Sequence, residues 1–143
     1  MTTMRQTAPP LGLAVLLAAL GAVGPFAIDT YLPSFHAIGQ SLGATPLEVQ
    51  QTLTAYMIPF SFMALWHGAI SDAVGRRSVL LVSQVVFALA CLGCIFATRI
   101  EHLWLFRAIQ GLSAGAGIVV SRAVVRDLYD GPLATKLISH IAM

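Results

Sequence analysis

Charge is what this sequence has least of. Asp, Glu, Lys and Arg make up 10% of its 143 residues, whereas 57% are hydrophobic, and the mean hydropathy is +0.82. A soluble domain carries roughly a quarter of its residues as charges, so the apolar surplus here has to face lipid. The net charge of +2 says little as a total, and its placement matters more. No nucleic-acid partner is expected. Nothing reads as an enzyme either: the chain has no nucleophile and base constellation, no metal-binding spacing and no phosphate-cradling loop. Cys91 and Cys94 form a C-x-x-C inside an uncharged apolar run, without a histidine or another cysteine nearby in sequence. They read as small apolar helix residues. His36, His67, His102 and His140 show no metal spacing and are expected at interfaces. A cleavable signal peptide is also missing, because the first apolar run is too long and no small-residue cleavage site precedes a soluble domain.

What is present is a series of membrane-length apolar runs. Residues 1–10 read as a short cytoplasmic tail ending at Pro9 and Pro10. The spacing predicts spans over about 11–32, 47–71, 77–98 and 102–128, each long enough to cross about 30 Å of hydrocarbon. A fifth apolar segment over 133–143 covers about half a span and marks the chain as a fragment of something longer. Thr45 is placed to cap a helix that starts at Pro46 with Glu48 in its first turn. The fold class is therefore an all-α integral membrane protein.

Arg5, Arg76, Arg77, Arg122, Arg126 and Lys136 fall at one membrane surface, and Arg99 falls at the other. This asymmetry puts the N-terminus in the cytoplasm. Tyr31 and Trp104 at the outer face, with Trp66 and Tyr129 at the inner one, fit aromatic belts. Between the second and third spans lies one charged island, GAISDAVGRRSVLL, residues 68–81. Gly75 permits a tight reversal there, and Arg76 and Arg77 anchor it in the headgroup layer. Gly68 could also thin the helix end for another helix, with Asp72 offering its carboxylate to that helix's positive N-terminus.

Two charges fall inside the predicted hydrocarbon, Asp29 on the first span and Arg107 on the fourth. Each costs roughly 2.5–3.5 kcal/mol there. One reading pairs them to hold the bundle together. The other makes Asp29 a proton carrier, since apolar surroundings favour its protonated form and a nearby cation its charged form. Arg107, Gly111 and Gly115 recur every four residues along one helical stripe, the kind of small-residue surface that lets membrane helices approach. Tyr31, Gln50, Thr54 and Tyr56 are candidates for lining a substrate cavity, or for hydrogen bonding between neighbouring helices.

Three of these stretches resemble one family. The pattern G-x-x-x-D-x-x-G-R-R-x-x-L, through Gly68, Asp72, Gly75, Arg76 and Arg77, resembles the loop between helices two and three of the major facilitator superfamily. Ala73 stands where members usually carry a basic residue, and Ala69 where the drug-exporting branch often has proline. GPFAIDTYLPSF, residues 24–35, is similar to the first-helix motif of the bicyclomycin and chloramphenicol resistance branch, with Asp29, Tyr31, Leu32 and Pro33 in place. RAIQGLSAGAGIVVSRAVVRDLY, residues 107–129, resembles that branch's fourth-helix motif, in which the arginine is implicated in proton transfer. The resemblance implies the first four helices, and the start of a fifth, of the N-terminal six-helix bundle in a twelve-helix fold. It further implies a drug:proton antiporter of the bacterial inner membrane, working by alternating access with the proton as coupling ion and no cofactor. Its partners would be the lipid bilayer, a small drug-like substrate and the missing C-terminal half, without which this stretch is not expected to transport. A small four-helix dimeric exporter and a non-transporting membrane scaffold are the competing readings.

Overall fold

The computed structural model describes residues 11–129 together with 134, 135, 138 and 139. The expected tail over 1–10 and most of the fifth apolar segment lie outside the described residues. Among those described, five α-helices follow one another: α1 Leu11–Asp29, α2 Phe35–Leu42, α3 Pro46–Val74, α4 Arg76–Ile95 and α5 Ile100–Leu128. A single 3-10 turn, Leu32–Ser34, links α1 to α2. Among the described residues, four helical segments are long and apolar enough to cross a membrane, taking Leu11–Leu42 as one.

The first span differs from the sequence expectation. Helix α1 stops at Asp29, and the chain passes through Thr30 and Tyr31 into the 3-10 turn before α2 resumes a helical path. Pro33 is the cause, since proline offers no N–H and its ring clashes with the carbonyl four residues back. Residues 35–42, which fall between the first two expected spans, form α2 because Phe35, Ile38 and Leu42 have Val49, Ile100 and Leu103 to pack against. Gly43, at a φ of 61°, ends this short helix. The α3 start follows the capping logic: Thr45 Oγ1 accepts from the Glu48 backbone N–H, and the Glu48 carboxylate accepts from the Thr45 N–H.

The charged island proves to be a one-residue hinge. Helix α3 runs three residues past the expected end, to Val74, and α4 begins at Arg76, so Gly75 alone turns the chain. Its φ of 101° and ψ of 137° lie in a region that side chains resist. Gly75→Ala is expected to cost about 1–3 kcal/mol, read as a lower midpoint when helical circular dichroism is followed on heating in detergent. An unchanged midpoint would mean that the hinge relaxes freely. At the far end of α4 the return is also short, and α5 starts at Ile100, which places Glu101 and His102 inside it.

Helix α5 sits at the centre, packing against α3, α4 and α1. Three helices surround it with apolar faces turned outward, including Leu16, Leu65, Val82 and Leu89. In lipid such faces gain nothing by meeting each other, so helices associate through close packing. The sequence of α5 permits this: from Ser113 to Gly117 every residue is small and buried. A Cβ at Gly111 would strike the Tyr56 backbone of α3, and one at Gly117 the Leu20 carbonyl of α1. Glycine is therefore required where the backbones cross. Gly115 has only ordinary contacts, with His67 Nδ1 at 3.4 Å from a built Cβ, and Gly68 has Val119 at 3.8 Å. Gly68 is thus not a close-approach point within these helices. Beyond α5, Ala134 and Ile138 pack with Leu17, Val125 and Tyr129. Tyr129 is buried there and is no part of an exposed belt.

Candidate functional site

Arg107 lies on the second turn of α5, on the face that also carries Leu103, Gln110 and Gly111 toward the interior. It is 3% exposed. Two aromatic rings enclose its guanidinium, whose carbon is 4.1 Å from the Tyr31 ring centroid and 4.5 Å from that of Tyr56. Away from water each such contact contributes on the order of 2 kcal/mol, which offsets part of the cost of burying the charge. Nη1 donates to Gln110 Oε1 at 3.0 Å, and Gln110 Nε2 donates to Cys91 Sγ at 3.0 Å. The remaining edge of the guanidinium, Nε and Nη2, has no hydrogen-bond partner among the described residues. That edge presents two parallel donors, the geometry that a carboxylate accepts with both oxygens.

The two tyrosines are fixed in turn. Thr52 gives its hydroxyl proton to the Val49 carbonyl at 2.6 Å. This leaves Tyr31 as the donor in its 2.6 Å contact with Thr52 Oγ1. Tyr56 donates to the Gly24 carbonyl at 3.0 Å and stacks on Phe60 with centroids 5.9 Å apart. Gly24 precedes Pro25 in α1, so the loosened backbone near that proline is engaged from α3. Tyr31 itself stands in the irregular joint between α1 and α2. A cavity of about 590 Å³ opens beside this cluster, with Val23, Phe26, Tyr31, Cys91, Cys94 and Arg107 among its walls. Its size lies within the range of small-molecule sites.

The expected site residues separate into groups. Arg107, Tyr31 and Tyr56 come together, with Tyr56 sealed beneath the guanidinium and Tyr31 also on the cavity wall. Asp29 does not join them. It is exposed at the last residue of α1, off the cavity wall, and it makes no ion pair with Arg107. The ion-pair reading of these two charges is therefore corrected: Phe26, Ala27 and Thr30 line the cavity, and Asp29 does not. Gln50 and Thr54 are exposed on α3, away from the cavity, and also fall outside the cluster. His67, expected at an interface, is buried at 3% exposure with Nδ1 unpartnered.

At the hinge, Arg76 is the organising group. It pairs with Asp72 one turn back, bonds Ser71 Oγ, and reaches Asp127 on α5 with Nε 3.1 Å from Oδ2. Half-exposed pairs of this kind contribute about 0–1 kcal/mol each. Their effect is geometric, tying the α3–α4 hinge to the end of α5. Arg77 is exposed beside it.

Sequence reasoning gave no site role to Thr52, Gly24 or Gln110 as a ligand of Arg107, and it read the two thiols as small apolar helix residues. A signal for Thr52 existed: Val49, Thr52 and Tyr56 recur at helical spacing and are all buried, which marks the inward face of α3.

The sequence profile of the Major Facilitator Superfamily matches residues 11–143. The chain belongs to the Major Facilitator Superfamily. This major facilitator chain is 43% identical, over 90% of its length, to the uncharacterised MFS-type transporter YdgK of Bacillus subtilis strain 168, covering 32% of that protein. It is 35% identical to multidrug resistance protein D of Escherichia coli K12, with 84% of this chain and 30% of that one aligned. A bicyclomycin resistance protein homolog of Haemophilus influenzae is 33% identical over 89% of this chain and 32% of its own length. Relatives carrying these names agree with the branch suggested by the first- and fourth-helix motifs. The chain spans about a third of the length of the curated relatives it matches. Membership of this family makes it a multi-pass membrane protein, and sets aside the small four-helix dimeric exporter.

Proposed function

We propose that this chain is the N-terminal part of a proton-coupled drug exporter of the bacterial cytoplasmic membrane, with its N-terminus inside. The observation that carries the reading is Arg107, an enclosed cation with one two-donor edge unused. Such an edge is costly to leave empty and is ready to receive a carboxylate. Asp29 is the nearest acid in sequence to the joint that holds Tyr31 over Arg107. In one state of the carrier the carboxyl faces apolar surroundings and keeps its proton. In the other, the joint over residues 29–34 brings it toward the arginine and the proton leaves. Alternation between the two couples an inward proton to an outward drug.

The cargo would sit between this half and the missing second half near the membrane midplane. Gln50 and Thr54, polar and exposed on α3, suit a face turned toward that half, and Tyr31 suits the wall on this side. Gly68 and Asp72 would meet a helix of the second half, with Arg76 holding the hinge in register. By itself the chain does not transport.

Joining residues 1–143 to the remaining two thirds of E. coli multidrug resistance protein D provides the test. In cells stripped of other exporters, the joined protein should lower drug accumulation, and a protonophore should abolish this. The chain alone should have no effect. Asp29→Asn in the joined protein should bring export to background while its amount in the membrane is unchanged. Undiminished export by that variant would remove Asp29 from the mechanism.

A further inference from the structure

Cys91 and Cys94 stand one turn apart on α4, both as free, half-buried thiols, and both line the cavity that holds Arg107 and Gln110. Residues three apart on a helix share a face, with Cβ atoms about 5–6 Å apart. Two sulfurs so placed can take a single ion between them. Gln110 Nε2 already donates to Cys91 Sγ at 3.0 Å, so this sulfur acts as an acceptor at the cavity wall. Among the described residues the cavity wall carries no carboxylate and no histidine, so a hard cation finds only neutral oxygens such as those of Thr30, Ser34 and Gln110, whereas thiolates select soft ones.

Charge narrows the choice further. Two thiolates around a monovalent cation carry one net negative charge, and around a divalent cation none. The wall supplies one positive charge, Arg107, whose Nε and Nη2 are unpartnered and buried. We propose that Cys91 and Cys94 form a two-coordinate site for a soft monovalent cation, copper(I) or silver(I), whose negative bis-thiolate complex is matched by Arg107. On binding, two S–H bonds break, two sulfur–metal bonds form and two protons pass to solvent; nothing is oxidised or reduced. Occupancy would also compete for the sulfur that Gln110 now holds, linking the metal to the position of Arg107. This site and the proposed proton coupling share Arg107, and the two single-serine variants test the site without touching that residue.

Silver(I) is the probe of choice, since it undergoes no redox change here. Titrated into the purified chain in detergent, it should bind once per chain by native mass spectrometry and release two protons. Cys91→Ser and Cys94→Ser, with helical circular dichroism unchanged, should each bind roughly 100-fold more weakly, the loss expected when one arm of a chelate is removed, and release one proton. Arg107→Gln should weaken binding about tenfold, the size of one charge-assisted contact. Two silver ions per chain, or single-serine variants as tight as the wild type, would overturn the shared site. Equal affinity in Arg107→Gln would overturn the charge match.

Discussion

Arg107→Leu is expected to abolish proton-driven export by the joined transporter, by roughly 100-fold or more, while leaving the folded bundle within about 2 kcal/mol of the wild type. The loss of export is of the size seen when one preorganised charge is removed from a low-dielectric site. The small change in stability follows from opposing terms. Leucine relieves the burial of a charge with two unpartnered donors, a replacement that is often neutral or stabilising by about 1–4 kcal/mol. Against this, the contacts with Tyr31 and Tyr56 disappear, and Gln110 Oε1 loses its donor, at about 1–3 kcal/mol. Arg107→Lys should restore little export, because an ammonium can neither lie flat between two rings nor offer a two-donor edge. Drug accumulation in cells and reversible unfolding of the purified chain in sodium dodecyl sulfate, read side by side, check both halves. A variant that unfolds by several kcal/mol more would make Arg107 a structural strut.

Gly111→Ala should destabilise the bundle by about 1–3 kcal/mol, the usual cost of overpacking a tight contact, whereas Gly115→Ala should be tolerated. Both glycines lie on the same stripe of α5, four residues apart, so the contrast isolates geometry from composition. At Gly111 the added methyl would meet the Tyr56 backbone, and a backbone cannot rotate away as a side chain can. The helices α3 and α5 would have to part, which also shifts Tyr56 from beneath Arg107. At Gly115 the nearest atom is 3.4 Å away, on the His67 ring, and a small adjustment makes room. Gly117→Ala, against the Leu20 carbonyl, should resemble Gly111→Ala. The same unfolding assay separates them, and equal losses at Gly111 and Gly115 would contradict the crossing described here.

The long apolar runs, the capped start at Pro46 and the glycine reversal at Gly75 were legible in the sequence because each rests on local chemistry. The unmarked features depend on partners far away along the chain. Helix α2 forms because Val49, Ile100 and Leu103 receive its apolar face, and no periodicity over eight residues announces that. Asp29 and Arg107 were both visible as expensive charges, but hydropathy carries no rotation: Phe26, Ala27 and Thr30 line the cavity and Asp29 does not. The clamp around Arg107 joins residues 31, 56 and 107, which only the packing of α5 against its neighbours brings together. The C-x-x-C pair looked like helix filling until α4 set both sulfurs on the arginine's cavity.

The most direct test of Asp29 as the proton carrier is the number of protons released when chloramphenicol is added to the purified joined transporter in weakly buffered detergent solution. The wild type should release protons as the drug binds, and the Asp29→Asn variant should release none while still folding. Equal release from both proteins would show that the exchanged proton comes from another group.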